Sequence, residues 1–279
     1  MLQRFEGQFL GADQAELFFQ TWTPSQVRGT IVITHGLAEH SECYHALAKV
    51  LADDGWQVFA WDMRGHGRSS GKRGYVMSID SFISDFGCFL DVIRKQKSPH
   101  PPILLGHSLG GLVTLRYLET HDCNYTALVL SSPALGLSMP VPKFKEKLAE
   151  VAVKWLPTLT MHNEIKYTDL SHLDEMIESY SRDNLRHDKI SPGLFLSMRD
   201  NFPLALAAAP DVKNPVLMLL AGEDRVASTP ASQDLFERLP NKKNQLIVYP
   251  ESFHEIFNDR ERDRVIADLK NFINPYLGA

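Results

Sequence analysis

The chain has 279 residues, 44% hydrophobic and 23% charged, with a formal net charge of −5. That length and balance fit one large globular domain, or a core carrying an inserted piece, and exclude a disordered or fibrous chain. The acidic balance gives no basis for nucleic-acid binding, and no apolar run approaches the ~18 residues of a membrane span.

In chain order, "RFEGQFL" and "AELFFQTW", joined by "GADQ", predict a hairpin of two strands. "GTIVITHG" (29–36) is a β-branched strand ending in glycine, and "YHALAKVLADDGW" places Tyr44, Leu47, Ala48 and Leu51 at helical spacing. "WQVFAWD" (56–62) is a strand, and Phe82, Phe86, Phe89, Leu90 and Ile93 mark a helix. "PPILLGHS" is a strand, "LGGLVTLRYLETH" a helix, and "YTALVLSSPA" a strand. Strands apolar throughout, alternating with helices, predict a mostly parallel sheet covered on both faces. The pattern stops after Ala134. It resumes with the strands "NPVLMLLAGED" and "NQLIVYP" and a closing helix from about Asp259.

Between the two blocks no strand of comparable quality occurs, and three stretches read as helices. The expected division is a core of residues 1–135 and 207–279 with a helical cap at 136–206. Such a cap would lie over the carboxyl ends of the strands, where open α/β sheets bind ligands. Its first helix carries Leu148, Val151, Trp155 and Leu156 on one stripe, flanked by Lys143, Lys145, Lys147 and Lys154. We expect that stripe to pack on the core with the lysines solvated; the competing reading lays it on a lipid surface.

Two glycine- or histidine-rich stretches invite other readings. "WDMRGHGRSSGKRG" fails the phosphate-loop pattern, because His66 stands where the first glycine belongs and Arg73 where magnesium needs Ser or Thr. It fails the dinucleotide pattern too, the third glycine falling on Ser70; Asp62 and Arg64 are expected to brace the turn. "HGLAEHSECYH" gathers three histidines and a cysteine without the spacing of a structural zinc site. Neither a metal nor an organic cofactor is expected. The three cysteines, Cys43, Cys88 and Cys123, are widely spaced and read as free thiols. With a first segment broken by Gln, Arg and Glu, they lead to the expectation of a cytoplasmic protein, peripheral at membranes if the cap touches lipid.

"ILLGHSLGG" (103–111) raises the decisive question. Gly-x-Ser-x-Gly arises by chance in roughly one chain of this length in fifteen, so its surroundings must decide. A strand before Ser108 and a helix after it are the setting of a nucleophile elbow. A serine hydroxyl needs a base and an orienting carboxylate. His254, in the loop after the last good strand, is the expected base. His107 must point elsewhere, and His121, His162, His172 and His187 are read as solvated. Asp224, at the end of its strand, is the expected acid, with Glu223 its solvated neighbour. The oxyanion amides fall to Leu109, at the start of the helix, and to Leu37 in the His-Gly loop.

With those residues in hand, the chain resembles the α/β-hydrolases, and within them the monoacylglycerol lipase and lysophospholipase group. The resemblance rests on "HGLAEHSECY", "WDMRGHGRSSG", "GHSLGG", "GEDRV" and "PESFHEIFND", in order and over essentially the whole chain. It implies a Ser108–Asp224–His254 triad, a cap receiving an acyl chain, and hydrolysis of lipid-like carboxylic esters, most of all monoacylglycerols. Lysophospholipase, carboxylesterase and thioesterase activities would use the same triad; a ligand-binding protein without catalysis is the reading from another class. Glu39 matches the family and either binds a glycerol-like hydroxyl or braces its loop. Glu42 and Cys43 depart from it, standing where relatives often carry a small residue and an arginine.

Overall fold

Gly29–Thr34 is β-branched at most positions and buried at every one, so it runs as a strand through the middle of the molecule. A computed structural model describes residues 2–96 and 100–278. Strands β1 (Gln3–Leu10) and β2 (Glu16–Thr23) form the antiparallel hairpin, and β3 is Gly29–Thr34. Then come α1 (His45–Asp53), β4 (Trp56–Trp61), α2 (Asp80–Arg94), β5 (Ile103–His107), α3 (Leu109–Thr120) and β6 (Ala127–Ser131). An inserted stretch holds α4 (Lys143–Trp155), β7 (Met161–His162), α5 (Asp174–Arg182), β8 (Lys189–Ile190) and α6 (Pro192–Ala208). The chain closes with β9 (Val216–Ala221), α7 (Thr229–Arg238), β10 (Gln245–Tyr249) and α8 (Arg262–Ile273).

Eight strands form one sheet in the order β1-β2-β4-β3-β5-β6-β9-β10, parallel from β4 onward. Successive side chains of a strand point to opposite faces. Ile31 and Ile33 therefore join the core under α1 and α8, while Val32 joins the core under α2 and α3. The chain leaves β3 for β4 on one side and returns to β5 on the other. The crevice at that reversal opens beyond the ends of β3 and β5, where a ligand fits. Ser108 and Leu37 both lie there.

The loop after β4 is braced as expected. Asp62 accepts hydrogen bonds from the amides of Ser41 and Arg68, each at 2.7 Å, and Arg64 grips the buried Asp85 at 2.6 and 2.7 Å. Two details depart from the sequence reading. Helix α7 went unread because Leu235 is its one buried large side chain. A two-residue antiparallel pair, β7 with β8, lies inside the helical stretch. Helix α6, capped by the Ser191 hydroxyl and opened by Pro192, covers one of the three stretches read as helical, and Leu194, Met198 and Ala205 enter the core.

The stripe on α4 does not pack on the core. Trp155 is 80% exposed and Phe144 68%, with Leu148, Val151 and Leu156 also exposed. The helix instead approaches α6 through its opposite, small-residue face, on which Ala149 is buried and Ala152 and Val153 half-buried.

Candidate active site

Strand β5 ends at His107, and α3 begins at Leu109, so Ser108 must turn the chain by itself. It does so at φ 50° and ψ −120°, a conformation that favours glycine. The turn is pinned on both sides: the Ser108 amide donates to Ser131 O at 3.0 Å, and Ser108 O accepts from the Ala134 amide at 2.9 Å. Small neighbours are obligatory. A Cβ on Gly110 would stand 2.2 Å from Thr34 O, and one on Gly106 would stand 2.6 Å from Gly110 O.

Three side chains from separate strand ends meet at this turn. His254 Nε2 lies 2.9 Å from Ser108 Oγ, and His254 Nδ1 lies 2.8 Å from Asp224 Oδ2. The other Asp224 oxygen accepts the amides of Val226 and Ala227, both at 2.8 Å. A carboxylate that faces Nδ1 places the proton there, leaving Nε2 free to accept the serine proton. Burial disfavours the charged imidazole, but the Asp224 charge and hydrogen bond outweigh it and raise the His254 pKa above its ordinary value. Burial likewise opposes ionisation of Asp224, yet His254 and the two amides hold its carboxyl below the usual range. Glu223, the neighbouring carboxylate, is exposed.

Leu109 directly follows Ser108, and Leu37 lines the cleft that holds the serine. The Leu109 amide opens α3, where no carbonyl one turn back is available to it. The loop carrying Leu37 is held by Glu39, whose Oε1 accepts from the Gly36 amide and from Tyr44 Oη, the latter at 2.8 Å. Of the two roles read for Glu39, the bracing of this loop is the one its hydrogen bonds perform. A cleft of about 300 Å³ opens over Ser108, walled on the far side by the inserted stretch through His162, Lys166, Tyr167 and His187.

The other histidines divide. His107 points under the site, its ring centroid 4.8 Å from that of His254, and burial first and His254 second push its pKa down to about 3. His162 is exposed, as expected. His172 is not solvated: it pairs with Asp259 at 2.9 Å and stacks on Phe253. His187 is half-buried in the cleft wall, and its amide donates to Ala38 O at 3.2 Å.

Arg186 and Glu255 escaped the sequence reading. Arg186, buried and delivered by the inserted stretch, places Nη1 3.0 Å from Oε1 of Glu255, the residue after His254. Its Nη2 lies 3.5 Å from Cys43 Sγ. An arginine in an irregular stretch gives no sequence signal of that reach. His40, Cys43 and Asp183 bring potential metal-ligand atoms within 4.8 Å of one another. The Arg186 cation beside Cys43, and the His40–Asp183 contact at 2.7 Å, oppose a further cation there.

A family model described as "Serine aminopeptidase, S33" matches residues 25–261. The chain belongs to that family of α/β-hydrolases. Among members and relatives, a monoacylglycerol lipase of Mycolicibacterium smegmatis is 31% identical, over 98% of this chain and 98% of its own. A phospholipase of Bacillus subtilis is 26% identical over 92% of this chain and 99% of its own. The crystal structure of a Paleococcus ferrophilus monoacylglycerol lipase superposes with a TM-score of 0.84 at 31% identity, covering 99% of each chain. A soluble variant of the Saccharomyces cerevisiae monoglyceride lipase, in complex with a substrate analogue, shares the α/β-hydrolase fold with a TM-score of 0.82 at 18% identity, over 99% of this chain and 96% of its own.

Proposed function

We propose that the chain is a serine esterase that hydrolyses lipid-like carboxylic esters, monoacylglycerols first among them, by two acyl transfers through Ser108. The continuous contact from Ser108 Oγ through His254 to Asp224 is the observation that carries this reading. His254 Nε2 takes the hydroxyl proton as Oγ attacks the ester carbonyl. The Leu37 and Leu109 amides stabilise the oxyanion, and Asp224 stabilises the imidazolium. The tetrahedral intermediate collapses as His254 gives its proton to the departing alcohol. Water, deprotonated by His254, then attacks the acyl-enzyme, and the acid leaves with Ser108 restored. Kinship with lipases of full-length similarity supports the substrate class.

Residues 136–206 act in this reading as the cap that selects the acyl chain. The exposed stripe of Phe144, Leu148, Val151 and Trp155, bordered by lysines, touches an anionic lipid surface from which substrate enters. Lys166 in the cleft wall supports a second substrate class, since an ammonium there suits the phosphate of a lysophospholipid.

A fluorophosphonate probe is expected to label Ser108, alongside turnover of a panel of acylglycerols, lysophospholipids and aryl esters of graded chain length. Absence of labelling sinks the esterase reading. Turnover confined to short esters removes the lipid substrate, and preference for the phosphate-bearing members replaces the glyceride.

A further inference from the structure

Beside the triad, lining the same cleft and the cavity next to it, lies a buried cluster of charge formed by Glu39, Arg186 and Glu255. Arg186 Nη1 and Nη2 fork onto the two oxygens of Glu255 at 3.0 and 3.3 Å, and Nη2 lies 3.7 Å from Glu39 Oε2. The face of the guanidinium rests on Tyr180, 4.0 Å from the ring centroid. All three charged side chains are almost wholly removed from water.

Each carboxylate belongs to a different half of the reacting centre. Glu255 follows His254 directly and also accepts from Asn258 Nδ2 at 2.9 Å, so its position sets the loop that carries the base. Glu39 holds the Gly36 amide and Tyr44, and so sets the loop that carries Leu37. The cation that joins them, and the tyrosine beneath it, come from neither loop; both are supplied by the inserted stretch. Two further bonds run alongside, from the His187 amide to Ala38 O and from the Glu255 amide to Leu170 O.

Removal of the guanidinium would leave two buried carboxylates facing each other without a cation. The cost of a buried, unpaired charge is high enough that such groups move, hydrate or take a proton. The titration of the pair agrees with this. Burial alone would raise Glu255, yet Arg186 holds it below the usual carboxylate range, while burial and the Glu255 charge push Glu39 up despite Arg186.

We propose that Arg186 is a positioning residue that makes the catalytic site conditional on the seating of the inserted helices, acting as the strut that holds the His254 loop and the Leu37 loop in register. When the stretch between β6 and β9 is seated, base and oxyanion amides are aligned. When it lifts, both loops lose their common anchor and the chemistry stops.

This inference rests on the acyl-transfer reading of Ser108. Its test uses the full chain, a short water-soluble aryl ester that makes little demand on the acyl site, and the variants Arg186→Met and Arg186→Lys. The expected result for Arg186→Met is a fall in kcat of about 10²-fold, the scale of an ångström-sized misplacement, with KM within about threefold. Fluorophosphonate labelling slows in parallel, and Arg186→Lys, which restores a cation without the fork, recovers part of kcat. Thermal unfolding separates this from a purely structural role: activity lost in proportion to folded protein overturns the proposal, as does a folded Arg186→Met whose kcat stays within about twofold of the parent. Should Arg186→Met not fold, Arg186→Lys carries the test: a lower kcat at unchanged KM supports the strut, and an unchanged kcat overturns it. A parent protein that is itself unlabelled by the probe refutes the esterase reading instead, so the two failures are distinct.

Discussion

Asp224 Oδ2 stands 2.8 Å from Nδ1 of His254, and that contact sets both the tautomer and the basicity of the imidazole. His254 works as a base only when neutral, and its pKa is raised. Activity is therefore full above the raised value and falls as the pH drops through it, so the acid limb of kcat/KM lies above pH 6.5, the ordinary value for histidine. Asp224→Asn is expected to lower kcat by about 10⁴-fold through the wrong tautomer. With the Asp224 anion gone, burial is opposed only by the charges of Glu255 and Glu39, and the limb moves to lower pH. A pH–rate profile of both proteins checks the two shifts together.

Arg64 and Asp85 make a stability test away from the cleft. The Asp85 carboxylate is fully buried and also accepts the Ala12 amide at 2.8 Å. Arg64→Met leaves that charge without its partner, an expected loss of about 3–5 kcal/mol in unfolding free energy. Burial already raises the Asp85 pKa despite Arg64, and it rises further in the variant. The penalty is thus largest at alkaline pH and shrinks as the pH falls and the carboxyl takes up a proton. Denaturant midpoints at several pH values measure it.

Gly110→Ala tests whether the elbow needs close contact between β3 and α3. The new Cβ meets two backbone oxygens, Thr34 O at 2.2 Å and His35 O at 2.3 Å, neither of which can swing aside as a side chain does. The expected cost is about 2–3 kcal/mol, with slower labelling of Ser108 because the turn itself is displaced. Unchanged labelling would show that the serine is held by other means.

Trp155 makes the opposite kind of test. Being 80% exposed, its replacement by alanine is expected to change stability by less than about 0.5 kcal/mol and to leave turnover of a dissolved short ester intact. Co-sedimentation with anionic phosphatidylserine vesicles is expected to fall, and in the parent protein it weakens as salt is added. Equal sedimentation of parent and Trp155→Ala would refute the lipid-facing role of α4.

Much of this was legible because each strand of the parallel sheet is apolar on both faces and ends where chemistry can be placed. Ser108, Asp224 and His254 each follow a strong strand, so topology and motif pointed to the same residues. Helix α4 was misread for a definite reason. Large apolar residues at helical spacing between lysines describe a core-facing stripe and a lipid-facing stripe equally well. What decides is Ala149 on the other face, whose small size lets α6 approach. Arg186 was hidden because a long side chain in a stretch without periodicity carries no sign of which loops it reaches.

Ser108 sits at a backbone angle that an L-residue tolerates poorly, at a cost of order 1–3 kcal/mol. Glycine would relieve that strain while giving up one hydrogen bond of about 1 kcal/mol. A Ser108→Gly protein is therefore expected to unfold at a slightly higher temperature than the parent, and to be inert. The residue on which the reaction depends is a burden to the fold, and the packed sheet around it is what lets the chain carry it.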